Sequence, residues 1–390
     1  MLPNVNITLG NGNLGRITPT TDGVSALLLT GVAIPGKLEL LKHYLLSSTN
    51  DLVALGVTGD NNFLIDKDVR AFYAQTGEGA ELHLLVVSEA TTLTAMCSTD
   101  ATSPLNKLIN SAGGRIRLVG ANKLPPTSYT AVVTQGIDGD AITAGAAANA
   151  AAEAHADKVK PFRSLLPACN FTGETETLFK PSASSHNRVG YVIASDDNVK
   201  KTAAIGQVLG RAAKIAVHRS IGRVKDGAIA AEGWLTNGAE FQSAQGLSGV
   251  LNDAGYITYV KYPTKNGCYL SGDPMASSVT DDYSELHLGR VVDKACTIIY
   301  DTYITEIMDN IKIESDGKLS AAICMYYEGV IENAISVVLN GEISSFDCFV
   351  DPNQNVLSSG ALDVSGAIVP QGVLKSINFG LTLKNPAIIK

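Results

Sequence analysis

The sequence predicts an α/β fold with an extended strand at each end of the chain. Three observations carry this. Short apolar runs alternate with amphipathic segments through the first two thirds, the order that builds a sheet covered by helices. Two long amphipathic stretches and a strand fill most of the last third. Both termini alternate with a period of two, the signature of a strand with one buried face. At the start, Val5, Ile7 and Leu9 stand between Asn4, Asn6 and Thr8; at the end, Val373, Ile377, Phe379, Leu381 and Leu383 share one side, with Asn378, Gly380, Thr382 and Lys384 between them. Lys375 is the lone break on the apolar side.

Taken in order, the chain divides into an N-terminal arm strand (1–22), an N-terminal α/β region (23–130), a central α/β domain (131–283), a C-terminal α+β domain (284–371) and a C-terminal arm strand (372–390). Val24–Thr30 reads as a buried strand, Lys37–Leu46 as an amphipathic helix and Val53–Val57 as a strand. Asp66–Gln75 is a helix with Val69, Phe72 and Tyr73 on one side, stopped at Gly77, and Glu81–Val87 is a strand. Ile116–Val119 and Ala131–Thr134 are further strands, and the Ala-rich Asp140–Lys158 is a helix that Pro161 stops. Arg163–Leu166 and Val189–Ala194 are strands flanking an exposed loop, Asn170–Asn187. A long helix is expected over Asn198–His218, capped by Ser195-Asp196-Asp197. Gly206 and Gly210 within it cost about 1 kcal/mol each against Ala, so they imply close approach of another backbone. Phe241–Leu251 is expected to be helical, and Tyr256–Tyr262 a strand that Pro263 ends. Glu285–Ile311 and Leu319–Leu339 are long helices, Ser345–Val350 is a strand, and Gly360–Gly372 is a flexible lead to the last strand.

The 390 residues can bury a large core. The net charge of −8 and pI near 5.3 disfavour nucleic acid as a partner. No run approaches the roughly 18 apolar residues of a membrane helix, and no basic leader precedes Ala26–Leu29, so neither a membrane partner nor a signal peptide is expected. The six cysteines are scattered and read as buried free thiols of a reducing cytoplasm.

Two glycine motifs invite a nucleotide-binding reading. Gly10-Asn-Gly12-Asn-Leu-Gly15 follows a strand, but the residues after it, through Pro19 to Gly23, will not open the helix that a dinucleotide site needs. Gly31-Val-Ala-Ile-Pro-Gly36-Lys37 resembles a phosphate loop between a strand and an expected helix. Yet Leu38 stands where Ser or Thr would hold magnesium, and Pro35 lacks an N–H. Gly246-Leu-Ser248-Gly249 misses the nucleophile-elbow spacing, and the histidines form no H-x-x-x-H pair. Asp281-Asp282 reads as a charge pair favoured by the following helix dipole. No catalytic residue, cofactor or metal is expected.

Several segments together resemble the contractile tail sheath family of bacteriophages. They are Ser25-Ala-Leu-Leu-Leu-Thr-Gly31; the short helix with Gly79-Ala-Glu-Leu-His-Leu-Leu-Val-Val87; Ala203–Ala213; Ala244–Gly255 with the strand after it; Leu288–Tyr303; and the ending Ile368–Leu383. More narrowly, the chain is similar to sheath-like proteins of Bacteroides-type phages and prophages. The resemblance implies a sheath-like α/β core with a C-terminal α+β domain, and a structural protein rather than an enzyme. It also implies a homo-oligomer of hexameric rings stacked helically around a tail tube protein above a baseplate, located in the virion tail and assembled in the bacterial host cytoplasm. Terminal strands would cross into neighbouring subunits, which agrees with the alternation at both ends. A type VI-like or other contractile injection sheath is the alternative within this class, and a nucleotide-binding enzyme using Gly31–Lys37 the alternative outside it.

Overall fold

The computed structural model describes residues 21–241 and 245–383. Its centre is β1 (Ser25–Gly31), every residue of which is buried. A strand covered on both faces can be apolar throughout, as Leu27, Leu28 and Leu29 are. Around it assemble β2 (His43–Leu46), β3 (Leu82–Ser88), β4 (Leu118–Asn122), β5 (Arg163–Pro167), β6 (Val189–Val192) and β7 (Tyr256–Ile257), in the order β7-β6-β5-β4-β1-β3-β2. All neighbours are parallel except β2, which runs antiparallel to β3 at one edge.

Helices cover both faces. On one lie α1 (Thr49–Ala54), α2 (Phe63–Thr76) and later α5 (Ile205–Lys214), packing Leu52, Val69, Phe72, Val208 and Leu209 over Leu27 and Leu29. On the other lie α3 (Pro104–Ser111) and α4 (Gly139–Ala156), packing Leu105, Leu108, Ala144 and Ala148 over Ala26 and Leu28. The alanines of α4 let it sit close to the sheet; a Cβ at Gly145 would meet the Tyr191 hydroxyl. The glycines of α5 serve the same end against α2. A Cβ at Gly206 would collide with the backbone of Asp68, and one at Gly210 would lie 2.7 Å from the Phe72 carbonyl oxygen.

The C-terminal part hangs from α6 (Leu286–Tyr303). Its first half is buried against the sheet domain and its second half packs on α7 (Ala321–Val338). An antiparallel hairpin, β8 (Ile343–Val350) with β9 (Val364–Pro370), closes this part, with Ile343, Phe346, Cys348 and Ile368 facing the helices.

Several expected elements are corrected. Lys37–Leu46 is not a helix: Pro35-Gly36 turns the chain so that Ile34 and Leu38 exchange backbone hydrogen bonds, Leu41 is left-handed (φ 61°), and His43–Leu46 gains ladder bonds to β3. The expected strand Val53–Val57 overlaps helix α1, because Ser48 and Asp51 form a reciprocal capping box. The helix expected from Asn198 starts only at Ile205; Asp197 instead holds a turn through the N–H groups of Val199 and Lys200, and Lys201 is left-handed (φ 57°). The Phe241–Leu251 helix is Ser248–Asp253, and Tyr256–Tyr262 is split between β7 and a separate hairpin, Tyr259–Val260 with Tyr269–Leu270. Asn170–Asn187 is not all exposed, since Phe171, Leu178 and Pro181 are buried. The helix expected to reach Ile311 ends at Tyr303, with Met308 left-handed beyond it (φ 70°). The expected flexible lead, residues 360–372, contains β9. Cys296 is exposed, against the expectation of buried thiols.

Among the described residues one helix, α7, is by length and composition apolar enough to cross a membrane (mean hydropathy 1.2), against the expectation that no run would be. Here it packs on α6 and β8, and its Glu328 carboxylate accepts the Val350 N–H at 2.8 Å.

Candidate assembly interface

Beyond Pro370 the chain runs without ladder partners among the described residues. Its alternating apolar side chains are open to solvent: Val373 is 39% exposed, Ile377 and Phe379 82% each, Leu381 81% and Leu383 102%. Four large apolar groups at alternate positions are costly to leave in water and gain by burial. The N-terminal counterpart, Val5, Ile7 and Leu9, lies outside the described residues. An acceptor is at hand in the β8–β9 hairpin. It is a two-stranded sheet, so each strand presents one edge without a ladder partner among the described residues. Phe349 and Val369 are exposed on it.

The arm leaves the body beside the start of α6. Here the role expected of Asp281-Asp282 falls to Asp273, since the side chain of Glu285 makes no cap hydrogen bond. Glu285 is the N-cap residue, and the Asp273 carboxylate accepts the His287 N–H at 2.9 Å and contacts His287 Nδ1 at 2.7 Å. Ser220 Oγ donates to the other Asp273 oxygen. Burial opposes charge on both partners, but their mutual attraction prevails: the Asp273 carboxyl is held below its ordinary value and the His287 imidazole above its own. Glu285 lies 3.4 Å from His287 Nδ1 and pairs with Lys375 of the arm. The Asp273, Glu285 and His287 donor atoms all lie within 4.8 Å of one another, close enough to hold a metal ion. However, the Lys375 ammonium occupies the Glu285 end, and a dication there would face that charge, so the cluster is read as an ion-pair cap. The sequence reading missed it because Asp273 is brought to the helix from a separate loop.

A second cluster fixes α6 to the sheet. Arg163 of β5 is buried and donates from Nε to Asp293 at 2.9 Å; Arg188 reaches the same carboxylate at 3.1 Å. The guanidinium lies on Gly289, where a Cβ would collide with it. Lys294 then bridges Asp22 (2.8 Å) and Glu342 (2.7 Å), tying the strand-leading segment, α6 and the approach to β8 together.

Gly31–Lys37, already disfavoured as a phosphate loop by Leu38 and Pro35, lacks the helix that such a loop opens. A cavity of about 340 Å³ does lie where such sheets bind ligands, beyond the carboxyl ends of β1 and β4, lined by residues including Thr30, Gly31, Asn62, Glu89 and Lys200. Lys37 is not on its wall; its side chain runs against Gly56, and no helix follows the loop. The Asn62 side chain, at the mouth of α2, is committed to both backbone groups of Val32 (2.7 and 3.1 Å).

This arrangement defines a class: the fold is the one found in sheath chains of contractile systems. It matches a chain in the cryo-EM structure of the anti-feeding prophage (AFP) baseplate, 6-fold symmetrised, at TM-score 0.61 and 14% identity, covering 98% of this chain and 99% of that one. It matches the AFP helical sheath in contracted state at TM-score 0.58 and 14% identity, over 98% and 99% of the two chains. A third match is the PVC sheath complex of an extracellular contractile injection system in contracted state, at TM-score 0.55 and 14% identity, over 98% and 97%. No curated protein matches in sequence. The chain belongs to the DUF2586 family, whose N-terminal domain model matches residues 2–273.

Proposed function

We propose that this protein is the sheath subunit of a contractile tail or injection apparatus, polymerising as stacked hexameric rings around an inner tube above a baseplate. The observation that carries the reading is the C-terminal arm: apolar at alternate positions from 377 to 383, exposed, and attached to a fold shared with sheath chains along nearly its whole length. Val373, Ile377, Phe379, Leu381 and Leu383 are the coupling residues, joined by Val5, Ile7 and Leu9 at the other end. The receiving site is the free edge of a neighbour's β8–β9 hairpin, where strand addition supplies ladder hydrogen bonds and alternate side chains supply specificity. Contraction re-packs subunits into a lower-energy lattice while the strand links persist, with no nucleotide consumed.

Burying each large apolar side chain contributes about 1.5–3 kcal/mol, and ordering each backbone residue costs about 1–2 kcal/mol. With one buried side chain for every two residues ordered, the terms are of similar size. A single arm is therefore marginal, and free protein stays monomeric until a tube or baseplate gathers many contacts at once. Deleting 372–390 should abolish polymer in sedimentation and electron microscopy while circular dichroism and melting of the body stay unchanged. Normal sheath tubes from the truncated chain would defeat the proposal.

A further inference from the structure

The C-terminal arm is not uniform. After β9, Ser344 Oγ donates to the Pro370 carbonyl at 3.0 Å and Gln371 Nε2 to the Gly341 carbonyl at 2.7 Å. Val373 is 39% exposed, although Leu374 beside it is as open (83%) as the apolar residues after Lys375. Lys375 pairs with Glu285, the N-cap residue of α6, whose side chain is mostly buried. From Ser376 to Leu383, no side chain makes a hydrogen bond or ion pair with another described residue, and the apolar groups stand open. We infer that residues 371–375 are a root tethered to the chain's own body at Gln371 and by the Lys375–Glu285 ion pair, so that Val373, counted above among the coupling residues, falls in the root, and that the exchangeable part of the arm begins at Ser376.

This accounts for the break in the alternation. Residues 373, 375, 377, 379, 381 and 383 share one side of an extended chain. An apolar residue at 375 would continue the coupling face into the body and leave the position where the arm leaves its own molecule undefined. A lysine there meets Glu285 instead and marks the hinge. The latch also shares its carboxylate with the cap of α6, because Glu285 stands 3.4 Å from His287 Nδ1. The arm's exit direction is thereby referred to the helix that is itself bolted to the sheet by Arg163 and Asp293. Because Lys375 is exposed, the pair is weak and salt-sensitive. It biases the root and lets it swing when lattice contacts change.

The inference rests on the arm being an intersubunit coupling only for its consequence; its test needs no polymer. Backbone order of residues 372–383 would be measured by nitrogen-15 relaxation in the full-length monomer for wild type, Lys375→Gln, Glu285→Gln and the double variant. Order over 372–376 should exceed that over 377–383 in wild type. It should fall toward the level of 377–383 in either single variant. The double variant should show no further loss, and added salt should lower the order of 372–376 in wild type alone. Equal order along the whole arm in wild type, or additive effects of the two substitutions, would overturn the latch. Glu285→Gln could loosen the α6 cap for its own reasons; Lys375→Gln touches no cap and must reproduce the effect by itself. Failure here with loss of polymer in the 372–390 deletion would remove the latch and leave the sheath reading standing.

Discussion

A single methyl group separates two kinds of helical glycine in this chain. In α5, Gly206 has no room for a Cβ against the Asp68 backbone, whereas in α7 a Cβ at Gly329 would meet nothing within 4 Å. Helix propensity favours Ala over Gly by about 1 kcal/mol at both sites. At Gly206 that gain is outweighed by overpacking, typically about 1–3 kcal/mol or more where backbone must move. Gly206→Ala should therefore lower the denaturation midpoint and Gly329→Ala raise it, as read by urea unfolding at constant slope. A stabilising Gly206→Ala would mean that α2 and α5 are further apart than described. Close to this contact, Lys67 joins Asp68 (2.8 Å) and Asp196 (2.7 Å), and Asn122 reaches the other Asp68 oxygen. The crossing is thus fixed by polar pairing as well as by small residues.

At the scale of an element, the start of α6 carries a pH dependence of defined sign. His287 is raised by Asp273, so its contribution to stability is complete below its ordinary value of about 6.5 and is lost as pH rises through the folded value. Asp273 is depressed, so its contribution is complete above about 3.9 and is lost as pH falls through the folded value. The charged groups facing the imidazole are Asp273, Glu285 and Lys375, and together they set the window between those two limits. The stability gap between wild type and His287→Gln should be widest near pH 5–6, about 3–5 kcal/mol for breaking a buried pair. It should narrow toward pH 9 and again below pH 4; a gap flat across pH would show that His287 acts by packing alone. What the sequence could and could not reveal divides along the same line. Gly206 and Gly210 announced a close helix crossing because their local cost has no local reason. The alternation of 377–383 is a local property of the sequence, but the strand it predicts has no ladder partner among the described residues. The segment 37–46 carries leucines at helical spacing, yet pairs with β3, an outcome decided by a partner some forty residues away. Asp273 capping α6 and Lys375 reaching Glu285 are equally nonlocal, and no spacing rule points to either. The capping box at Ser48 and Asp51, and the Ser103 cap with Pro104 opening α3, were local signals present and overlooked.

Across the whole molecule, burial is unevenly shared. The sheet domain holds two extensive cores, one on each face, whereas the C-terminal part holds, among the described residues, two clusters of only four buried apolar residues each, around Ile335 and around Tyr327. On α7, Met325, Tyr326, Val337 and Val338 face outward. A region with so few buried apolar contacts opens locally at lower free energy than the body that carries it. Only the first half of α6 is shared with the large core, clamped by Arg163, Arg188 and Lys294. In the free protein, amides of α7, β8 and β9 should exchange by sub-global opening, well before those of β1, β3 and β4, while the Leu286–Ala295 turns of α6 exchange with the body. Strand addition to β8–β9 would change this order, since each ladder bond and each covered side chain lowers the population of the open form. In assembled tubes, α7 and the hairpin should therefore gain far more protection than the sheet domain does. Equal gains in both regions would indicate that assembly proceeds through the body, with the C-terminal hairpin left outside the joint.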